Sequence, residues 1–139
     1  MMSAMLSLYF LFALFCFTSA FPITITDLPT AHLEKRVDHT GRGTWFDVGL
    51  GACGFTDVDS SHIVAISHEV YGSGGNCNQW MHITNNANGK SVYALTRDEC
   101  MGCGSNDVDL SPSAFSSIGN LDTGVLDVTW HYMAKGWSP

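Results

Sequence analysis

The chain has 139 residues, of which 45% are hydrophobic and 14% charged, and a formal net charge of −7. That length supports one domain with a modest core. The acidic balance repels phosphate backbones and anionic lipid headgroups, which argues against nucleic acid and membrane surfaces as partners and favours a neutral or cationic ligand such as a polysaccharide.

Residues 5–17, MLSLYFLFALFCF, form a thirteen-residue apolar run, too short to span a bilayer as a helix and of the length of a signal-peptide core. No Lys or Arg precedes it, so the α-amino group is the only n-region charge. Thr18-Ser19-Ala20 supplies the small residues of a cleavage point, so residues 1–20 are expected to be a signal peptide of a secreted, extracellular protein. Residues 21–36 show no pattern of a packed element and end in the dibasic pair Lys35-Arg36, the mark of a propeptide. The domain is then expected to be 37–139. The removed piece carries Lys35 and Arg36 against Asp27 and Glu34, so the balance stays at −7.

Beyond that point short apolar stretches alternate with Gly, Asn and Asp turns. Strands are predicted at Gly43–Val48, Ile63–Ile66, Met81–Thr84, Ser91–Leu95, Val108–Leu110 and Val125–Tyr132. A short helix is predicted over Ser67–Tyr71. Asn85-Asn86-Ala87-Asn88-Gly89 reads as a hairpin turn, because Asn-Gly tolerates positive φ. Ser111-Pro112 places an N-cap residue before a proline at the first helical position. Ala114, Phe115 and Ile118 follow at helical spacing, and Gly119-Asn120 stops the helix. Many short strands and little helix indicate an all-β fold, a small barrel or a sandwich, between which pattern alone does not choose.

Cys16 falls in the apolar run, leaving Cys53, Cys77, Cys100 and Cys103. An even count in a small secreted domain reads as two disulfides, with three connectivities open. A zinc site would need a second Cys-x-x-Cys, and a thioredoxin-like redox role would need a βαβ context; neither is present. His39, His62, His68, His82 and His131 show no metal-ligand spacing, so no metal and no cofactor are expected.

Asp98 and Asp109 flank the Cys100–Cys103 turn. Paired carboxylates there suit acid–base chemistry or polar capture of a sugar. Asp109 alternates with Val108 and Leu110, which turns it outward on a strand. Two plainer roles compete: Asp109 satisfying free N–H groups before the helix, and Asp98 organising the disulfide loop. Asp107 reads as solvated loop. Trp45, Phe46, Tyr71, Trp80, Tyr132 and Trp137 form a pool of rings able to stack on sugars; Trp45 and Tyr71 are expected to be exposed, and Phe55, Phe115 and Trp130 to be core.

Thr44-Trp45-Phe46, Gly51-Ala52-Cys53-Gly54-Phe55, Asp98-x-Cys100-x-x-Cys103, Asp109-Leu110-Ser111-Pro112-x-Ala114-Phe115 and Gly124-Val125-Leu126-x-Val128-x-Trp130 occur in this order. Together they resemble the double-psi β-barrel of rare lipoprotein A, the expansins and barwin, and above all the small fungal expansin-like proteins called loosenins. The resemblance implies a six-stranded double-psi β-barrel with one or two short helices, stabilised by disulfides. It also implies a shallow groove that binds cell-wall polysaccharide, cellulose or chitin, and loosens it without hydrolysis. The family's essential groove aspartate matches Asp109, with Asp98 and Thr44 beside it and Thr44 placed to hydrogen-bond Asp109.

Two departures stand out. The sandwich domain of expansins, with its cellulose-binding platform, has no counterpart here, so weaker polymer affinity is expected. Thr96-Arg97 precedes Asp98 where relatives carry β-branched apolar residues, which leaves the strand register open. Inverting hydrolases on this barrel need a second carboxylate roughly 6.5–9.5 Å from the acid. Asp47 is the candidate base, in an aromatic context that only partly matches. Two alternatives therefore stand beside the expected non-enzymatic monomer. One is a glycoside hydrolase or peptidoglycan lytic transglycosylase with Asp109 as the acid, the other a secreted effector that binds a protein.

Overall fold

The computed structural model describes residues 36–139; the expected signal peptide and all of the expected propeptide but Arg36 lie outside the described residues. Six strands appear in chain order: β1 (His39–Trp45), β2 (Ile63–Ser67), β3 (Trp80–Asn85), β4 (Ser91–Cys100), β5 (Val108–Leu110) and β6 (Leu126–Tyr132). They close into a barrel in the order β1-β5-β2-β4-β3-β6. The pairs β1/β5 and β2/β4 are parallel and the rest antiparallel. Barrel, not sandwich, is the outcome, and it leaves no strand edge unpaired.

Alternation builds the core. On β3, Met81, Ile83 and Asn85 are buried while Trp80, His82 and Thr84 are not; on β6, Leu126, Val128 and Trp130 point in. Val64, Ile66, Val92, Ala94, Val108 and Leu110 complete the barrel interior. Helix α2 (Pro112–Ile118) adds Ala114, Phe115 and Ile118, and Ser111 caps it by accepting from Ala114 N. Helix α1 (His68–Tyr71) is a single turn capped by Ser67. The β3–β4 hairpin turns at Gly89, whose φ of 71° favours glycine. Its Asn88 side chain reaches Ile118 O, as does that of buried Asn85.

Three predicted features are corrected. Strand β1 starts at His39 and ends at Trp45, earlier at both ends than Gly43–Val48, because its first half pairs with β6 and its partner β5 runs out at Leu110. Strand β4 runs on to Cys100 because Asp98, Glu99 and Cys100 pair in parallel with Ala65, Ile66 and Ser67. Phe55 is not core: it is 42% exposed on the β1–β2 connection, with the Arg97 guanidinium 4.0 Å from its ring centroid. Phe115 and Trp130 are buried as expected.

The cysteines pair as Cys53–Cys77 and Cys100–Cys103. The first ties the β1–β2 connection to the segment after α1; the second closes the turn at the end of β4.

Candidate functional site

Four neighbouring strands carry one register row on the outer face. Thr44 of β1 is opposite Asp109 of β5, Asp109 is opposite Ala65 of β2, and Ala65 is opposite Asp98 of β4. Ala65 is itself only 3% exposed, and it lies outside the apolar cluster that holds its neighbours Val64 and Ile66.

The row depends on an irregularity. Val64 pairs with Thr96 and Ala65 with Asp98, so Arg97 is an extra residue in β4. In a regular strand, Thr96 and Asp98 would face the same side. Thr96 is fully buried, and the bulge at Arg97 re-aims Asp98 to the outside. Thr96-Arg97, where the register was open, is where it shifts.

Asp109 is half-buried, and its Oδ1 accepts a 2.7 Å hydrogen bond from Thr44 Oγ1. Burial raises its pKa above the usual carboxylate value; the Thr44 hydroxyl opposes this by favouring the charged form, and the nearby Asp98 charge adds to the rise. Asp98 Oδ1 accepts from Ala52 N at 2.7 Å and Glu99 N at 2.8 Å, which fastens the β1–β2 connection against β4. That contact needs Gly51, where a Cβ would come within 2.4 Å of Arg97 O.

Asp109 and Thr44 line an open depression of about 240 Å³ with Arg42, Asp107, Cys100, Gly102 and Cys103. Asp98 stands beside it, one side of Ala65 away. Asp107 is not solvated loop, as its position suggested: its side chain is 16% exposed and accepts from Arg42 N, Nε and Nη2 and from Gly104 N. The Arg42 side chain is what holds the Asp107 carboxyl below the ordinary range most strongly. Sequence reasoning missed Arg42 and Asp107 as site residues. Their spacing held the signal, since each lies two positions before Thr44 and Asp109 and so shares their face.

The other candidates lie apart from the depression. Trp45 is 37% exposed, with its indole N–H donating to Leu121 O at 3.1 Å. Tyr71 is half-buried and donates its hydroxyl to Ala52 O at 3.0 Å. Asp47 is exposed beyond the end of β1. No group of three or more His, Cys, Asp or Glu side chains among the described residues is arranged to hold a metal.

No protein-family model matches the chain. The papain inhibitor of Streptomyces mobaraensis is 32% identical over 101 residues, covering 68% of this chain and 71% of the inhibitor. Expansin-like protein 5 of Dictyostelium discoideum is 33% identical over 109 residues, covering 70% of this chain and 45% of that protein. Among solved structures, a Streptomyces papain inhibitor superposes with a TM-score of 0.64 at 30% identity, covering 70% of this chain and 94% of its own. A Clavibacter michiganensis expansin variant in complex with cellohexaose gives a TM-score of 0.66 at 23% identity, covering 74% and 54%. The chain thus spans most of the inhibitor but less than half of the expansin-like relative, and 38% of an allergen homologue from Arthroderma benhamiae. Sequence and architecture agree, and the chain belongs to the barwin-like double-psi β-barrel family of the expansin-like proteins and the papain inhibitor.

Proposed function

We propose that this is a secreted, expansin-like protein that binds a cell-wall polysaccharide, cellulose or chitin, along the Asp109 depression and loosens it without cutting it. The observation that carries the reading is the Thr44–Asp109 pair: a half-buried carboxylate held in one orientation on an open, acidic barrel face. Asp109 accepts hydrogen bonds from sugar hydroxyls, Thr44 orients it, and Asp98 fixes the neighbouring wall. Trp45, exposed outside the depression, adds stacking area for a polymer that runs beyond it. The apolar run at residues 5–17 supports export.

Non-hydrolytic action is favoured by the state of the other carboxylates. An inverting glycosidase needs an acid and a free base with water between them. Asp107 is committed to Arg42, one oxygen of Asp98 is committed to two backbone N–H groups, and Asp47 does not line the depression. The test pairs polymer pull-down with measurement of released ends on cellulose, chitin and peptidoglycan, for wild type and Asp109→Asn. Binding without release, weakened in the variant, supports the reading. Release abolished by Asp109→Asn establishes a hydrolase or lytic transglycosylase instead.

A second reading is inhibition of a cysteine protease, the effector class in which the barrel is a scaffold for a protein contact. It is favoured by one observation: the papain inhibitor is a relative that the chain covers over most of its length. Titration against papain with a fluorogenic peptide decides it.

A further inference from the structure

The depression contains a second polar rung that the proposed function leaves without a role. Arg42 has a side chain 66% exposed, yet it is not free to wander. Its Nε and Nη2 donate to Asp107 Oδ2 at 3.0 and 2.7 Å, and Asp107 Oδ1 is held in turn by Arg42 N at 2.8 Å. Gly104 N adds a fourth donor at 3.2 Å. A guanidinium fixed this way presents its remaining N–H groups in one plane, so little ordering entropy remains to be lost on binding. Among the described residues, nothing accepts from Nη1.

Thr44 follows Arg42 by two residues on β1, and Asp109 of β5 follows Asp107, which lies just before that strand, by two; all four line the same depression. Asp109 Oδ1 is occupied by Thr44, and Oδ2 has no protein partner among the described residues. The depression therefore holds a fixed donor and a fixed acceptor one short step apart. Its charges are unbalanced: Arg42 is already compensated by Asp107, while among the described residues Asp109 and the adjacent Asp98 form no ion pair. A polyuronate is repelled by that arrangement and a neutral chain is not.

Among neutral chains, an acetamido substituent carries the complement of the pair. Its planar trans amide places an N–H donor and a carbonyl acceptor at opposite ends of one rigid unit. The N–H meets Asp109 and the carbonyl meets Arg42. A hydroxyl of an unsubstituted glucan offers a weaker acceptor on a free rotor. We propose that Arg42, oriented by Asp107, is a ligand-contacting donor of this groove, and that with Asp109 it selects a neutral, N-acetylated polysaccharide over an unsubstituted glucan. The proposal rests on the polysaccharide reading above.

The experiment is calorimetric titration of the secreted protein with chitohexaose and with cellohexaose, repeated for Arg42→Gln, Arg42→Lys and Asp107→Asn. Wild type is expected to bind chitohexaose about tenfold more tightly. Arg42→Gln brings the ratio of the two affinities close to one. Arg42→Lys, which keeps the charge but loses the fork, does the same and covers the case in which the first variant fails to fold. Asp107 is a positioning residue, so Asp107→Asn lowers the ratio of the two affinities in the folded fraction, which a purely structural role would leave unchanged. Equal affinities in wild type, a preference for cellohexaose, or a ratio that Arg42→Gln and Arg42→Lys leave untouched overturns this proposal alone. No binding of either sugar by wild type removes the polysaccharide reading and the proposal with it.

Discussion

Asp98 and Asp109 share one register partner, Ala65, and stand on either side of it on β4 and β5. Two strand spacings separate their Cα atoms, about 9.5 Å, and both carboxylates point away from a convex barrel. They are near enough for the Asp98 charge to favour the protonated form of Asp109. Their hydrogen bonds assign them different work: Asp109 keeps an oxygen for a ligand, and Asp98 fastens a loop.

Asp109→Asn is expected to stabilise the fold at neutral pH while weakening polymer binding. The folded-state pKa of Asp109 lies above the ordinary carboxylate value, because burial disfavours its charge. A raised carboxylate pKa means that the folded chain holds its proton more tightly than the unfolded chain. Stability from this group is therefore complete at acid pH, below the unfolded value near 4, and falls as pH rises toward the folded value. Asparagine keeps an acceptor for Thr44 without the charge. Thermal unfolding from pH 3 to 8 should show a higher melting temperature for the variant at pH 7 and no gain at pH 3. A gain that persists at pH 3 would have another cause.

Thr44→Val keeps the β-branched shape suited to a strand and deletes the donor to Asp109. The lost hydrogen bond to a charged acceptor is worth about 1.5–3 kcal/mol. Because that bond holds the Asp109 pKa down, its removal moves the carboxyl titration further up. NMR titration of the Asp109 carboxyl carbon measures the shift directly. An unchanged midpoint would mean that the hydroxyl does not set the charge of Asp109.

Much of this was legible in the sequence. Short apolar stretches between Gly, Asn and Asp turns marked all six strands, the Ser111-Pro112 cap placed α2, and the cysteine count gave two disulfides without their pairing. The missing parts were non-local. A single extra residue at Arg97 leaves no periodic trace in a polar run, so neither the length of β4 nor the outward turn of Asp98 could be read. Phe55 followed the rule that aromatics are core, but a cation covers it instead. Arg42 and Asp107 are far apart in sequence, and only the parallel pairing of β1 with β5 brings them together.

The two disulfides should separate stability from binding. Cys53–Cys77 spans 24 residues and Cys100–Cys103 only 3. Loop-closure entropy assigns about 3 kcal/mol to the first and about 2 kcal/mol to the second. The second also lines the depression. Replacing both Cys53 and Cys77 with Ser should lower the urea midpoint more, with oligosaccharide affinity retained in the folded fraction. The Cys100→Ser, Cys103→Ser pair should cost less stability and more affinity. The reverse ordering would contradict the assignment of the Cys100–Cys103 turn to the groove wall.

Arg97 holds more than the bulge it occupies. Its guanidinium covers Phe55, lies 3.4 Å from Asp57 Oδ2 through Nε, and donates from Nη1 to Asn78 Oδ1 at 2.7 Å. The Arg97 and Asp57 side chains are only 19% and 13% exposed, so truncating the arginine leaves a mostly buried carboxylate without its cation. Asn78 has a φ of 62°, a conformation unusual for a residue with a side chain, and Arg97 anchors that side chain. Arg97→Ala is thus expected to destabilise by about 2 kcal/mol, seen as a lower urea midpoint with the same slope. Arg97→Lys, which keeps the charge and loses the planar fork, should recover part of the loss. Adding Asn78→Gly to Arg97→Ala should recover a further part, because glycine adopts positive φ without a side-chain anchor. If Arg97→Ala unfolds at the wild-type midpoint, the loop is held by its backbone bonds and the Cys53–Cys77 disulfide alone.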